Sequence, residues 1–338
     1  MKKSSMYLCI GSALLLSACG GGGGSSGTPT AGSAPVQGST LSPITSANAT
    51  RVAANAYAAA STISESSASF SDALTGVSID RPTIGAVTPT LNLVKRAYGR
   101  SAGQVLAGIT ISEPCSGGGS LTIEANLRNQ QTVSNGDSMV IVANRCIEDG
   151  EIASGTMRAT FSDISGDVLN SWVWSATLDT RYDNFSVTSG NESATVNGDM
   201  KIAVNQTSST SSSVTVSGRS LQTTEQRSGT TIATRTLGDF SMTGSTRGLT
   251  ITSASNFTMS GNTSALGQFS YTVRNVQPFV SVGSSLPNSG ALIVNGASTA
   301  VTLTVAGTNS VRLDLSDKAS GAITQTNTLS WTELLLAM

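Results

Sequence analysis

The chain has 338 residues, of which 12% are charged and 4% aromatic, and its 19 basic and 20 acidic residues leave a net charge of −1. That balance excludes a basic footprint for nucleic acid or for anionic lipid. It contains no histidine, which removes the commonest general base, the commonest zinc ligand and the usual switch near neutral pH.

In chain order, Lys2 and Lys3 supply a positive start, and Met6 to Leu16 an apolar run of about a dozen residues. Ser17 and Ala18 put small residues directly before Cys19. This is the order of a secretory signal peptide, and the run is too short to cross a bilayer as a helix. Leu16-Ser17-Ala18-Cys19 resembles the lipobox of bacterial lipoproteins. The resemblance implies that residues 1–18 are removed and that Cys19 is acylated and becomes the mature N-terminus. Each buried CH₂ adds about 0.8 kcal/mol of membrane affinity, so several acyl chains, palmitate among them, hold stably. In this family an Asp after the cysteine tends to retain the protein in the inner membrane; Gly20 implies the outer one. The expected partner at this end is therefore the membrane, with the body facing the periplasm or the cell surface. The competing reading is a cleaved secretory signal with an incidental cysteine.

Residues 19–43 read as a tether. Gly20 to Gly24, Ser25, Ser26 and Gly27 form a flexible coil, and Pro29, Pro35 and Pro43 forbid a regular element. Such a chain has an r.m.s. reach of roughly 25–30 Å.

Residues 44–104 read as a helical segment. Val52, Ala56, Ala59, Ala60 and Ile63 share a stripe at three-to-four spacing, which predicts a helix from Thr45 to about Leu74, or only to Ser61 where serines accumulate. A second helix is expected from Pro89 to Tyr98, with Thr88 as N-cap and Gly99 as stop. Both are expected as small apolar lids over a sheet face or barrel mouth.

Residues 105–338 read as an antiparallel β domain. Leu121, Ile123, Ala125 and Leu127 alternate with Thr122, Glu124, Asn126 and Arg128, and runs of period two recur to Val311–Leu315. Turn signals stand between them: Asn135-Gly136, Ser165-Gly166, Asn197-Gly198, Ser228-Gly229, Arg247-Gly248, Gly261-Asn262 and Gly307-Thr308-Asn309, with a loop tip at Ser208–Ser213. The fold class is mainly β: a large curved antiparallel meander, closing toward a half-barrel or sandwich, with one or two short N-terminal α-helices. A membrane-spanning barrel is disfavoured, because it needs aromatic girdles and a continuous apolar outer face.

Cys115 and Cys146 are the cysteines that remain after cleavage and acylation. Export places them in an oxidising compartment, and the intervening strands form a hairpin that brings its ends together, so they are expected to pair.

Cys115-Ser116-Gly117-Gly118-Gly119-Ser120, Gly136-Asp137-Ser138, Asn144-Arg145-Cys146, Gly150, Gly155 and the ending Trp331-Thr332-Glu333-Leu334 together resemble a pattern in proteobacterial lipoproteins of unassigned function. That resemblance implies no activity.

Three motifs invite a chemical reading. Gly136-Asp137-Ser138 is similar to the start of the GDSL hydrolases, but a serine nucleophile needs a base, and no histidine is present. A hairpin turn leading into a strand is the better reading. Asp314 to Gly321 has two carboxylates and a lysine, too few oxygens for a calcium loop; a solvated hairpin loop fits better. Trp172 and Trp174, two apart, are expected on one face of a strand. They are weak candidates for ligand binding by stacking, against a plainer role in the core. Asp163, Asp167, Asp179 and Asp183 lie nearby, with no spacing that selects a glycosidase pair.

No catalytic residue, metal site or cofactor is expected. The leading expectation is a non-enzymatic structural or interaction protein of the envelope. A carrier of an apolar or glycan ligand in the concave face of the sheet is the alternative, and a histidine-free hydrolase the weakest. A hollow inner face would favour the carrier and a filled one the interaction protein.

Overall fold

The alternation seen in the sequence becomes fourteen strands: β1 (Ile109–Pro114), β2 (Ser120–Asn126), β3 (Ser138–Glu148), β4 (Glu151–Gly166), β5 (Trp174–Ser189), β6 (Glu192–Ser208), β7 (Ser211–Arg227), β8 (Thr230–Arg247), β9 (Thr250–Thr263), β10 (Gly267–Val282), β11 (Ser289–Asn295), β12 (Thr299–Val305), β13 (Ser310–Asp317) and β14 (Ile323–Ser330). The computed structural model describes residues 40–61, 109–128, 132–148, 150–168, 171–283 and 286–337. The expected signal peptide, Cys19, most of the expected tether, the second expected helix and any continuation of the first beyond Ser61 lie outside the described residues. All described elements belong to one unit, residues 39–338.

Among the described residues, each strand pairs antiparallel with the next, in a single sheet ordered β1 to β14. The sheet is a curved meander, as the hairpin signals predict. Tight turns fall at Asn135-Gly136, Ser228-Gly229 and Gly248-Leu249, and at the Ser209-Thr210 tip. Three expected turns are not turns. Ser165-Gly166 ends β4 and pairs with Ser175 and Trp174 of β5, Asn197-Gly198 lies inside β6, and Gly261-Asn262 inside β9.

Gly198 belongs instead to a line of irregularities that crosses the sheet. Register shifts occur at Ala143/Cys146, Ser154/Thr156, Tyr182/Phe185, Gly198/Lys201, Gly238/Ser241 and Arg274/Phe279. These places are neighbours: Ala143 pairs with Gly155, Tyr182 with Gly198, and Gly198 with Leu221. A bulge bends its strand and raises the local twist, so a row of them curls the sheet along one line. The extra residue also resets the alternation. Tyr182 and Phe185 are three apart and both buried, as are Leu237 and Phe240. Gly155 shows why the line needs glycine. It has φ of 106°, and a Cβ there would stand 2.1 Å from Asn184 O.

Helix α1 (residues 49–61) fills the curve. Asn48 closes the turn before it, accepting from Thr45 N at 2.8 Å. Val52, Ala53, Ala54 and Ala56 are fully buried, and Arg51 is the one exposed residue of the helix. A helix buried on nearly all sides lies inside a core rather than on it. The sequence reading made it a lid with one apolar stripe; the structure corrects that to a plug. Short alanines let the helix axis come close to the sheet.

The chain leading to α1 is strapped to the sheet. Ser42 N donates to Ser270 O at 2.8 Å, Ala297 N donates to Ser42 O at 3.0 Å, and Thr299 Oγ1 donates to Ile44 O at 2.6 Å. A short helix, α2 (Trp331–Leu336), follows β14. Ser330 Oγ accepts from Glu333 N, and Glu333 Oε2 accepts from Ser330 N at 2.7 Å. This Ser-x-x-Glu capping box explains the Trp331-Thr332-Glu333-Leu334 motif as a helix start.

Candidate functional site

The concave face of the sheet is where a ligand would sit, and its residues are already engaged. Its apolar rows, including Leu178, Ile202, Val216, Met242, Phe257 and Val273, are buried and continuous with α1 in one core. Tyr57 of α1 meets Phe279 edge-on at 5.3 Å and Trp331 of α2 at 4.7 Å between ring centroids. The indole Nε1 of Trp331 is buried and has no hydrogen-bond partner among the described residues.

A charged pair reaches α1 from the sheet. Glu225 of β7 and Arg235 of β8 point inward and form an ion pair. Arg235 Nη2 donates to Asn55 Oδ1 at 3.2 Å, and Asn55 Nδ2 donates to Arg51 O at 3.0 Å. Asn55 is 2% exposed. The trio therefore seats α1 at one rotation and depth. Neither Glu225 nor Arg235 stands out in the sequence, because alternation alone does not fix their face once bulges reset it.

The outer face is hydroxyl-rich. Thr195, Thr224, Thr234 and Asn262 stand in register across four strands, and Asn205, Ser213, Ser245 and Thr252 in another row. An open groove of about 350 Å³ lies on this face, lined by Ser241, Thr243, Asn256 and Arg274 among others. Asn275 props its floor, accepting from Ser255 N and Oγ at 2.8 and 2.9 Å. The groove is open to solvent, unlike the enclosed pockets that hold most small ligands.

The cysteines are placed as expected. Cys115 and Cys146 form a disulfide with Cα atoms 5.3 Å apart. The β1–β2 turn folds onto β3, with Gly117 N donating to Ile147 O and Ile147 N to Gly118 O, both at 2.9 Å. Gly119 is required there, because with φ of 74° a Cβ would lie 1.9 Å from Arg145 O. Glu148 accepts from Ser116 Oγ at 3.0 Å. Cys115, Cys146 and Glu148 have metal-like spacing, but their two sulfurs are joined to each other.

Asp137 is fully buried. Its Oδ1 accepts from Arg128 N at 2.9 Å and its Oδ2 from Ser134 N at 2.8 Å. Gly136 N donates to Phe161 O, and Phe161 N to Asp137 O, at 2.8 Å each. The motif is a loop clamp leading into β3, and Ser138 begins that strand.

Trp172 and Trp174 do not share a face. β5 begins at Trp174, which is 4% exposed, whereas Trp172 precedes the strand and is 51% exposed. The loop before the strand breaks the two-residue period that the expectation relied on. Asp163 occupies a bulge with φ of 54°, and Asp179 faces Lys201 at 3.9 Å on the surface. In the Asp314–Gly321 loop, Asp317 Oδ1 accepts from Ser320 N, Ser320 Oγ and Ala319 N. The Ser320 backbone bond, then its hydroxyl, hold this carboxyl below the usual carboxylate range. Lys318 Nζ donates to Gly296 O at 2.9 Å. The loop binds itself and its neighbour.

The chain matches no family model, no curated protein and no solved structure.

Proposed function

We propose that the chain is a lipid-anchored envelope protein, held in the outer membrane through Cys19, whose β body is a non-enzymatic structural or interaction module. The observation that carries this reading is the filled concave face: α1, Tyr57 and Trp331 occupy the space that a carried ligand would need. Buried carboxylates that could serve chemistry are engaged in holding the fold, Asp137 above all. The hydroxyl-covered outer face suits a body that stands in water, on a tether, beside a membrane rather than in it. Cys19→Ala tests the anchor. The parent should fractionate with membranes and the variant with soluble protein. A variant that stays with the membranes as the parent does sinks the lipid-anchor reading. Titration with an apolar fluorescent probe tests the carrier alternative. Stoichiometric saturable binding would favour it over a filled interior.

A further inference from the structure

β14 has one neighbour, β13, among the described residues. Trp331 N donates to Asn309 O, and the same register pairs Leu329 with Val311, Asn327 with Leu313 and Gln325 with Leu315. Antiparallel pairs alternate between bonded and non-bonded. Odd-numbered residues of β14 therefore turn their backbone groups to β13, while Thr326 and Thr328 turn theirs to the open edge. Residues 323–328 are all exposed.

Native sheets blunt such edges with charge, proline or shortness. β1, at the other end, is six residues long, carries Glu113 and ends in Pro114. β14 is eight residues long and has neither charge nor proline. It is also a near-palindrome about Thr326: Gln325 mirrors Asn327, Thr324 mirrors Thr328, and Ile323 mirrors Leu329. A two-fold contact needs that symmetry, because residue i meets j and j meets i.

We propose that β14 is a self-association edge, at which two copies of this chain pair β14 to β14, antiparallel and centred on Thr326. A two-fold axis perpendicular to the sheet keeps each residue on its own face. Thr326 exchanges both main-chain hydrogen bonds with the second copy's Thr326. The Gln325 and Asn327 amides meet beside it, Thr324 aligns with Thr328, and Ile323 with Leu329. No like charges come opposite one another, and Thr–Thr pairs are favourable across strands. Thr326 is preset for this: its hydroxyl donates to Asp314 Oδ1 at 2.8 Å, and Arg312 Nε holds the other oxygen at 2.8 Å. The register shift between Leu315 and Ser316 falls at Thr324, so the regular part of the contact runs from Gln325 to Leu329. The proposal goes beyond the interaction reading by naming a partner, and it does not rest on the lipid anchor.

The test uses the full chain in bacterial cells and in mild detergent. Thr326→Cys, oxidised in cells, should give a covalent species of twice the chain mass on non-reducing gels. The parent should sediment as a concentration-dependent dimer. Thr326→Lys sets two cations face to face on the two-fold axis, and Thr326→Pro removes an N–H that faces the open edge and not β13. Each should weaken association at least tenfold while leaving the circular dichroism spectrum unchanged. If the proline variant does not fold, the lysine variant decides. A parent that stays monomeric at every concentration overturns the proposal. So does a Thr326→Cys chain that never crosslinks to itself, or that crosslinks to a different protein. A dimer unaffected by Thr326→Lys places the contact elsewhere and overturns it equally.

Discussion

At the residue scale, the carboxylate of the Gly136-Asp137-Ser138 motif holds its own loop. Asp137 satisfies two backbone N–H groups in a buried loop. Asp137→Ala should cost about 2–4 kcal/mol in urea unfolding, since it leaves both donors buried and unpaired. Ser138→Ala should change neither stability nor any hydrolysis of ester, peptide or glycosidic substrates, which should stay at background. A reproducible activity lost in that variant would reverse the reading of this serine. The two tryptophans separate in the same assay. Trp174→Ala should destabilise by about 3–5 kcal/mol, whereas Trp172→Ala, half exposed before the strand, should have almost no effect. Two exposed carboxylates set an acid limit. Asp317 is held low by the Ser320 N–H and hydroxyl, and Glu333 by the Ser330 N–H and hydroxyl. A depressed pKa means stability that is present above the ordinary carboxylate value of about 4 and is lost as pH falls through the folded value. The double variant Asp317→Asn, Glu333→Gln should therefore show a smaller fall in Tm than the parent between about pH 5 and pH 2. An equal fall in both would remove these groups from the account.

At the element scale, α1 distinguishes a packed interior from a hollow one. Ala54 and Ala56 are fully buried, so a larger side chain has no space to enter. Ala56→Leu should cost about 1–3 kcal/mol through overpacking. A neutral or stabilising effect would mean unfilled space beside the helix and would revive the carrier reading. Arg235 is the second lever on this element. Arg235→Ala leaves Glu225 inside the curve without its ion pair and Asn55 without a donor. Loosening of α1 should appear as faster amide exchange in residues 51–57 while the β strands keep their protection.

At the scale of the whole molecule, the sheet is stapled near its first edge and filled at its centre. The disulfide closes a loop of 31 residues. In the loop-closure account such a crosslink removes unfolded-state entropy equivalent to about 3–4 kcal/mol. The double variant Cys115→Ser, Cys146→Ser should unfold at correspondingly lower urea, with the β signal retained in native buffer. Equal midpoints for the oxidised parent and the variant would mean that the turn Ser116–Gly119 holds β1 and β3 together without the bond.

Much of this architecture is local chemistry and is legible in the chain itself. Period-two runs and Gly/Asn turns specify hairpins, alanines from Ala47 to Ala60 specify a helix, and two cysteines at the ends of a hairpin specify a bridge. Ser330 and Glu333 also announce α2, a signal that the sequence reading passed over. What the tertiary structure decided is everything that depends on which face a residue takes. A bulge shifts the alternation by one, so Tyr182 and Phe185 both turn inward and Asn197-Gly198 bends a strand instead of ending it. The same shift carries Glu225 and Arg235 into the interior, where Asn55 meets them. Trp172 and Trp174 part because the strand begins between them. Local propensity acts over a few residues and sets the elements. Facing and curvature are set by the register summed across neighbouring strands, and that sum exists only when the sheet is assembled.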